Sequence, residues 1–185
     1  MGRVRTFALA ALACTLLVVP APASASGSPD PLLAPESACP AQSDASLPAA
    51  VQENAMVCMH RWARAQEHLS GLRVSKQLRT SSARKAQDIT RCGQFSHEAC
   101  GRDPFYWESR VGFFRGTYGA GENLALTYGD DTTVRGAMDL WLHSPEHRRN
   151  LLSPSYREIG VALITGRFDG NDGAHIWVAH FGYHH

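Results

Sequence analysis

The segment from Ala137 to Leu163 constrains the fold more than any other part of the chain. It reads AMDLWLHSPEHRRNLLSPSYREIGVAL. A helical apolar pattern ends at Trp141 and Leu142 and breaks at Ser144-Pro145. A charged turn of Glu146, His147, Arg148 and Arg149 follows, then a second Ser-Pro break and a strand-like run from Ile159 to Ile164. A helix and a strand this close in sequence both bury an apolar face in one interior. The polar turn between them is therefore held from two sides and its side chains have fixed directions. His147 stands at its centre.

The N-terminus points to export. Arg3 and Arg5 precede an apolar run from Phe7 to Val19 that is too short to span a bilayer comfortably, and Ala23-Ser24-Ala25 is a small-residue cleavage site. Residues 1–25 are therefore expected to be a signal peptide, with no stable membrane insertion after its removal. Cleavage leaves 16 basic against 17 acidic side chains, which gives no electrostatic footprint for a nucleic-acid partner. It also leaves four cysteines, Cys39, Cys58, Cys92 and Cys100. An even number in an exported chain favours two disulfides, with three possible connectivities. Cys39–Cys58 and Cys92–Cys100 each close a local loop, the second worth about 2–3 kcal/mol in chain entropy. A four-cysteine zinc site is the rival, but the spacing holds no C-x-x-C pair.

Residues 26–50 are rich in Pro, Ser and Ala and read as an arm or linker, with Leu32 and Leu33 as candidates to dock on the domain and Cys39, if paired to Cys58, to tie the arm down; residues 51–185 read as the domain. Val51 to Leu69 predicts a helix with Val51, Ala55, Cys58, Trp62, Ala65 and Leu69 on its apolar face. A second helix is expected from Lys76 to Arg91, ended by Gly93. Phe95-Ser96-His97 falls in the loop that Cys92 and Cys100 would clamp. The aromatics between residues 105 and 118 either cap the core or line a groove. Gly119 and Gly121 predict a tight turn before Glu122. A helix from Thr133 to His143, a strand from Ile159 to Ile164, a turn at Asp169 to Gly173 and a return strand from His175 to Phe181 complete the chain.

Five words in this order, A-x-D-I with F-S-H (Ala86 to His97), G-E-N-L-A (Gly121 to Ala125), W-x-x-S-x-x-H-R-x-N-L-L (Trp141 to Leu152), Y-x-x-I-G-V (Tyr156 to Val161) and W-V-x-x-F-G (Trp177 to Gly182), resemble the CAP superfamily of cysteine-rich secretory, antigen 5 and pathogenesis-related proteins, and within it the bacterial SCP-like extracellular branch. The resemblance implies an α+β fold, a three-layer α-β-α sandwich around a small antiparallel sheet, with a cleft on one side. It also implies a cleft of two histidines and two acidic residues. By motif these include His97, Glu122 and His147, while the second acidic place holds Ser144, with Glu146 nearby.

Two imidazoles and a carboxylate from separate loops suit a divalent metal such as Zn2+, with His97, His147 and Glu122 as ligands. Glu122 either coordinates or only orients an imidazole, and the second case leaves a weak, exchangeable site. Ser144 and His147 with Glu122 also allow a serine-hydrolase reading, but no G-x-S-x-G elbow is present and Ser before Pro is common at helix boundaries. His60, His68, His143, His175, His180, His184 and His185 are expected to be structural or exposed. The incomplete catalytic set favours a secreted binding module for a lipid, sterol or cell-envelope component. A metal-assisted hydrolase and an adhesion domain with a vestigial cleft are the alternatives.

Overall fold

A computed structural model describes residues 30–184. The expected signal peptide lies outside the described residues. The elements are α1 (Ala49–Gln66), β1 (Arg73–Val74), α2 (Lys76–Cys92), α3 (Tyr106–Arg110), β2 (Tyr118–Thr127), α4 (Val134–His143), α5 (Pro145–Leu151), β3 (Glu158–Phe168) and β4 (Asn171–His184). The sheet order is β1-β3-β4-β2. β3, β4 and β2 are antiparallel, and β1 adds a two-residue parallel rung beside Glu158 and Ile159.

Strand alternation divides the apolar residues between two layers. Ile159, Val161, Leu163, Trp177, Ala179 and Phe181 face α1, α4 and α5, while Ala162, Ile176 and Val178 face α2. Each face thus carries its own core, and the three layers follow from the alternation. Gly160 sits where α2 crosses β3: a Cβ there would lie 2.0 Å from the backbone carbon of Leu78. That absence of a side chain lets α2 lie close enough to reach the sheet with Ser81 and Lys85.

Local signals set the helix ends. Ser75 caps α2 by accepting from the Leu78 N–H, and Gly93 ends it in the left-handed region. Thr133 caps α4 through the Gly136 N–H at 3.0 Å. Pro145 opens α5, so the charged turn expected after Trp141 is itself a short helix.

Two expectations are corrected. The segment after Tyr118 is not a glycine turn but β2, an extended strand paired along its whole length with β4. Its glycines serve close approach instead, since a Cβ on Gly121 would meet the Tyr156 hydroxyl at 2.4 Å. The apolar face of α1 is rotated: Gln52, Met56, Met59, His60 and Ala63 are buried, whereas Val51 is 40% exposed. α1 packs on β3 and α4 together, so its buried surface is wider than one stripe. The arm, over its described part, is docked on the domain. Leu32, Ala34 and Cys39 are core residues, Arg135 donates to Ala34 O, and Trp62 donates to Pro31 O.

Both expected disulfides are formed, Cys39–Cys58 and Cys92–Cys100. The first ties the arm to α1, and the second closes the loop that carries His97.

Candidate functional site

The site is built on β2, the terminal strand of the sheet. Glu122 lies directly opposite His180 of β4, and both side chains fall on the face covered by α2. Glu122 Oε2 is 2.7 Å from His180 Nε2, and Glu122 Oε1 is 2.6 Å from His97 Nδ1. Burial alone would raise the Glu122 carboxyl, but hydrogen bonds from His180 and His97 and the charges of His180 and Lys85 outweigh it and hold it below its ordinary value. An ionised carboxylate only accepts, so both ring nitrogens facing it carry hydrogen. His97 therefore keeps its Nε2 for whatever enters the cleft. Its hydrogen bond to Glu122 raises its own pKa.

Behind this pair lies a fully buried set. His180 Nδ1 is 2.7 Å from Ser81 Oγ and 3.1 Å from Glu108 Oε1. Burial pushes the Glu108 carboxyl up, and neither of its oxygens has a partner in hydrogen-bond geometry among the described residues. Lys85 reaches in from α2, donating to His97 O and Pro104 O, with its Nζ 3.7 Å from Glu122 Oε1. Lys85 thus fixes the His97 loop from beneath while its charge balances Glu122.

The other wall is α5. Asn123 alternates to the opposite face of β2 and donates to His147 O at 3.0 Å, while Asn150 donates to Glu122 O and Asn123 Oδ1. Two asparagines thus lock the turn of His147 onto the strand of Glu122. Arg64, buried in α1, donates to Leu151 O, Ser153 O and Tyr156 O and fixes the far end of α5. The His147 ring is half-buried. Desolvation and the nearby His97 charge lower its pKa, against the pull of Glu146.

Of the residues expected at the site, His97 and Glu122 are in contact, and His147 is held on the adjoining α5 through its backbone, near enough for the His97 charge to lower its pKa. Ser144 is half-buried at the junction of α4 and α5 and makes no side-chain cap. Glu146 points to solvent, 85% exposed, with its nearest cation, Arg149, at 3.9 Å. His180, Lys85, Glu108 and Ser81 join them without a motif to announce them. One signal is available for His180: it is the single polar side chain on the α2-facing side of an otherwise apolar run, Ile176, Val178, His180.

A protein-family model for the cysteine-rich secretory protein family, CAP, matches residues 57–181. The chain belongs to this family. The CAP domain is 28% identical over 134 residues to the uncharacterized protein YkwD of Bacillus subtilis, covering 71% of this chain and 50% of that relative. The chain thus spans about half the length of the curated relative it matches. Among solved structures, it superposes with a TM-score of 0.59 on an extracellular protein containing an SCP domain from Bacillus anthracis (20% identity, 72% of this chain and 40% of that one). It also superposes with a TM-score of 0.58 on an outer surface protein from Borrelia burgdorferi (18% identity, 70% and 90%). These two similarities establish the shared fold.

The donor set of the CAP cleft does not fit a three-ligand metal site. Both Glu122 oxygens are engaged by imidazole N–H groups, and Lys85 stands beside them. Among the described residues no group of three or more His, Cys, Asp or Glu side chains is placed to hold a metal ion. Glu122 instead takes the orienting position.

Proposed function

We propose that this CAP domain is a secreted ligand-binding module whose cleft offers two histidine nitrogens as a weak, exchangeable site for a divalent cation such as Zn2+. Export is supported by the leader pattern of residues 1–25, the two disulfides, and the extracellular and outer-surface character of the two structural relatives. One observation carries the binding reading. The carboxylate accepts one imidazole N–H on each oxygen, from His97 and His180, and stands beside Lys85, so it orients His97. A hydrolytic zinc site uses three protein ligands and an open position, which this donor set does not supply.

The ligand class is a lipid, sterol or other envelope component with an apolar body. Phe114 and Tyr118 stack at 4.3 Å, and Tyr118 is half exposed on the same strand as Glu122. They give the cleft strand an aromatic platform. Calorimetric titration with sterols, fatty acids and envelope lipids tests this. Saturable binding weakened by Phe114→Ala and Tyr118→Ala is expected, and no saturable binding of any of them overturns it. Zinc titration is expected to give a weak isotherm that His97→Ala/His147→Ala abolishes.

A further inference from the structure

A second surface lies along α2 where it meets α1 and the β1–β3 edge of the sheet, and its lining includes neither His97, Glu122 nor His147. A groove of about 630 Å³ runs along it, walled by Lys76, Arg79, Thr80, Arg84 and Gln87 on one side and Glu53 on the other. Val74, Val161 and Ala162 supply its apolar lining. A second hollow of about 270 Å³ continues it, sharing Arg84 and Gln87 and adding Asp88, Arg91, Arg102 and Trp107.

Charge is segregated into this surface. The chain beyond residue 25 has 16 basic against 17 acidic side chains, yet the two hollows gather five cations and only two carboxylates. Those two are committed, and Arg79, Arg91 and Arg102 with them, which leaves Lys76 and Arg84. Glu53 accepts from Leu163 N and pairs with Arg79, while Asp88 takes Arg91, Arg102 and the Trp107 N–H. Lys76 and Arg84 have no acidic partner within ion-pair distance among the described residues, and Arg84 is held over the Trp107 ring at 5.8 Å. Lys76 and Arg84, the two cations unpaired among the described residues, stand about 12 Å apart along the helix at ~1.5 Å per residue.

We propose that this double groove on α2 binds a linear phosphate-bearing polymer. A concave track of separated cations matches a chain of separated anions better than a flat membrane. Guanidinium forks take phosphate oxygens bidentately. Thr80 and Gln87 lie between the cations and supply neutral hydrogen bonding for hydroxylated linkers between phosphates. The partner is thus a phosphodiester polymer with polyol linkers, engaged independently of the His97–His147 cleft.

The test is binding of long-chain inorganic polyphosphate to the full mature protein at several salt concentrations. Saturable binding that weakens with salt is expected. Lys76→Ala/Arg84→Ala is expected to weaken it about thirtyfold and to reduce the log–log salt slope by about one for each cation removed. Arg115→Ala, outside both hollows, and His97→Ala/His147→Ala are expected to leave it unchanged, so failure of the cleft reading does not imply failure here. Both substituted groove residues lie on the surface, and unchanged thermal unfolding confirms folding. The proposal is overturned if polyphosphate binds no better than orthophosphate, or if Arg115→Ala weakens binding as much as the groove pair. It is equally overturned if phosphatidylglycerol vesicles or poly-glutamate bind more tightly than polyphosphate.

Discussion

Replacing Glu122 by alanine should unfold the site from within. Glu122 is 5% exposed and accepts from two imidazoles, while Lys85, 2% exposed, has Glu122 as its acidic partner at 3.7 Å and otherwise meets only carbonyl oxygens. Removing one member of a buried ion pair costs about 3–5 kcal/mol, because the remaining charge stays buried without its counterion. For a domain of this size that lowers Tm by roughly 6–20 °C. Glu122→Gln should cost about half as much, since a charge is lost but one acceptor remains. Its amide N–H then faces an imidazole N–H, and the half-exposed His97 ring is the one free to change tautomer. The assay is urea unfolding under oxidising conditions, with NMR titration of His97. The His97 pKa, raised in the wild type chiefly by its bond to Glu122, should fall towards the ordinary value in both variants. Adding Lys85→Met to Glu122→Ala should restore about 2 kcal/mol by removing the orphaned charge. A loss below ~1 kcal/mol for Glu122→Ala, with Lys85→Met merely additive, would refute the coupling.

His60 is fully buried and its pKa is lowered to about 4, chiefly by desolvation. The unfolded chain takes up that proton first, so this contribution is full above the unfolded value near 6.5 and is lost as pH falls from there towards 4, by about 3 kcal/mol. Urea midpoints at about pH 7, 6 and 5 should show this acid slope, reduced in His60→Phe. Gly160→Ala places a Cβ against the Leu78 backbone and should cost about 2 kcal/mol or more, while displacing Ser81 and Lys85 from the site; zinc calorimetry and thermal unfolding read both effects. Cys39→Ser/Cys58→Ser opens a span of 19 residues and should cost about 3 kcal/mol, slightly more than opening the span of 8 in Cys92→Ser/Cys100→Ser, as denaturant unfolding would show. Only the second pair should loosen His97, read as line broadening of its ring signals.

Much of the scaffold is legible in the sequence because local chemistry decides it. Gly93 and Thr133 mark helix ends by backbone needs that a few neighbouring residues settle, and Trp141 with Leu142 declares a buried face by spacing alone. His97, Glu122 and His147 are legible only through the order of the motif words, not through any local pattern. β2 escapes a sequence reading because its glycines look like turn residues until the partner strand and Tyr156 claim the space above them. The rotated face of α1 is hidden for a related reason: which helix surface is buried depends on how many neighbours surround it, and periodicity assumes one.

Strand alternation, the disulfide loops, the caps and three members of the cleft are thus written in the chain itself. What those members do is settled by packing between distant elements. The register of β2 against β4 sets Glu122 opposite His180, and the close crossing of α2 at Gly160 brings Ser81 and Lys85 to them. Glu108 arrives from a separate short helix. A carboxylate has two oxygens, and once folding has given both to imidazoles it orients a histidine instead of completing a three-ligand set. That outcome depends on pairing between residues up to 58 positions apart, which no local stretch of chain encodes.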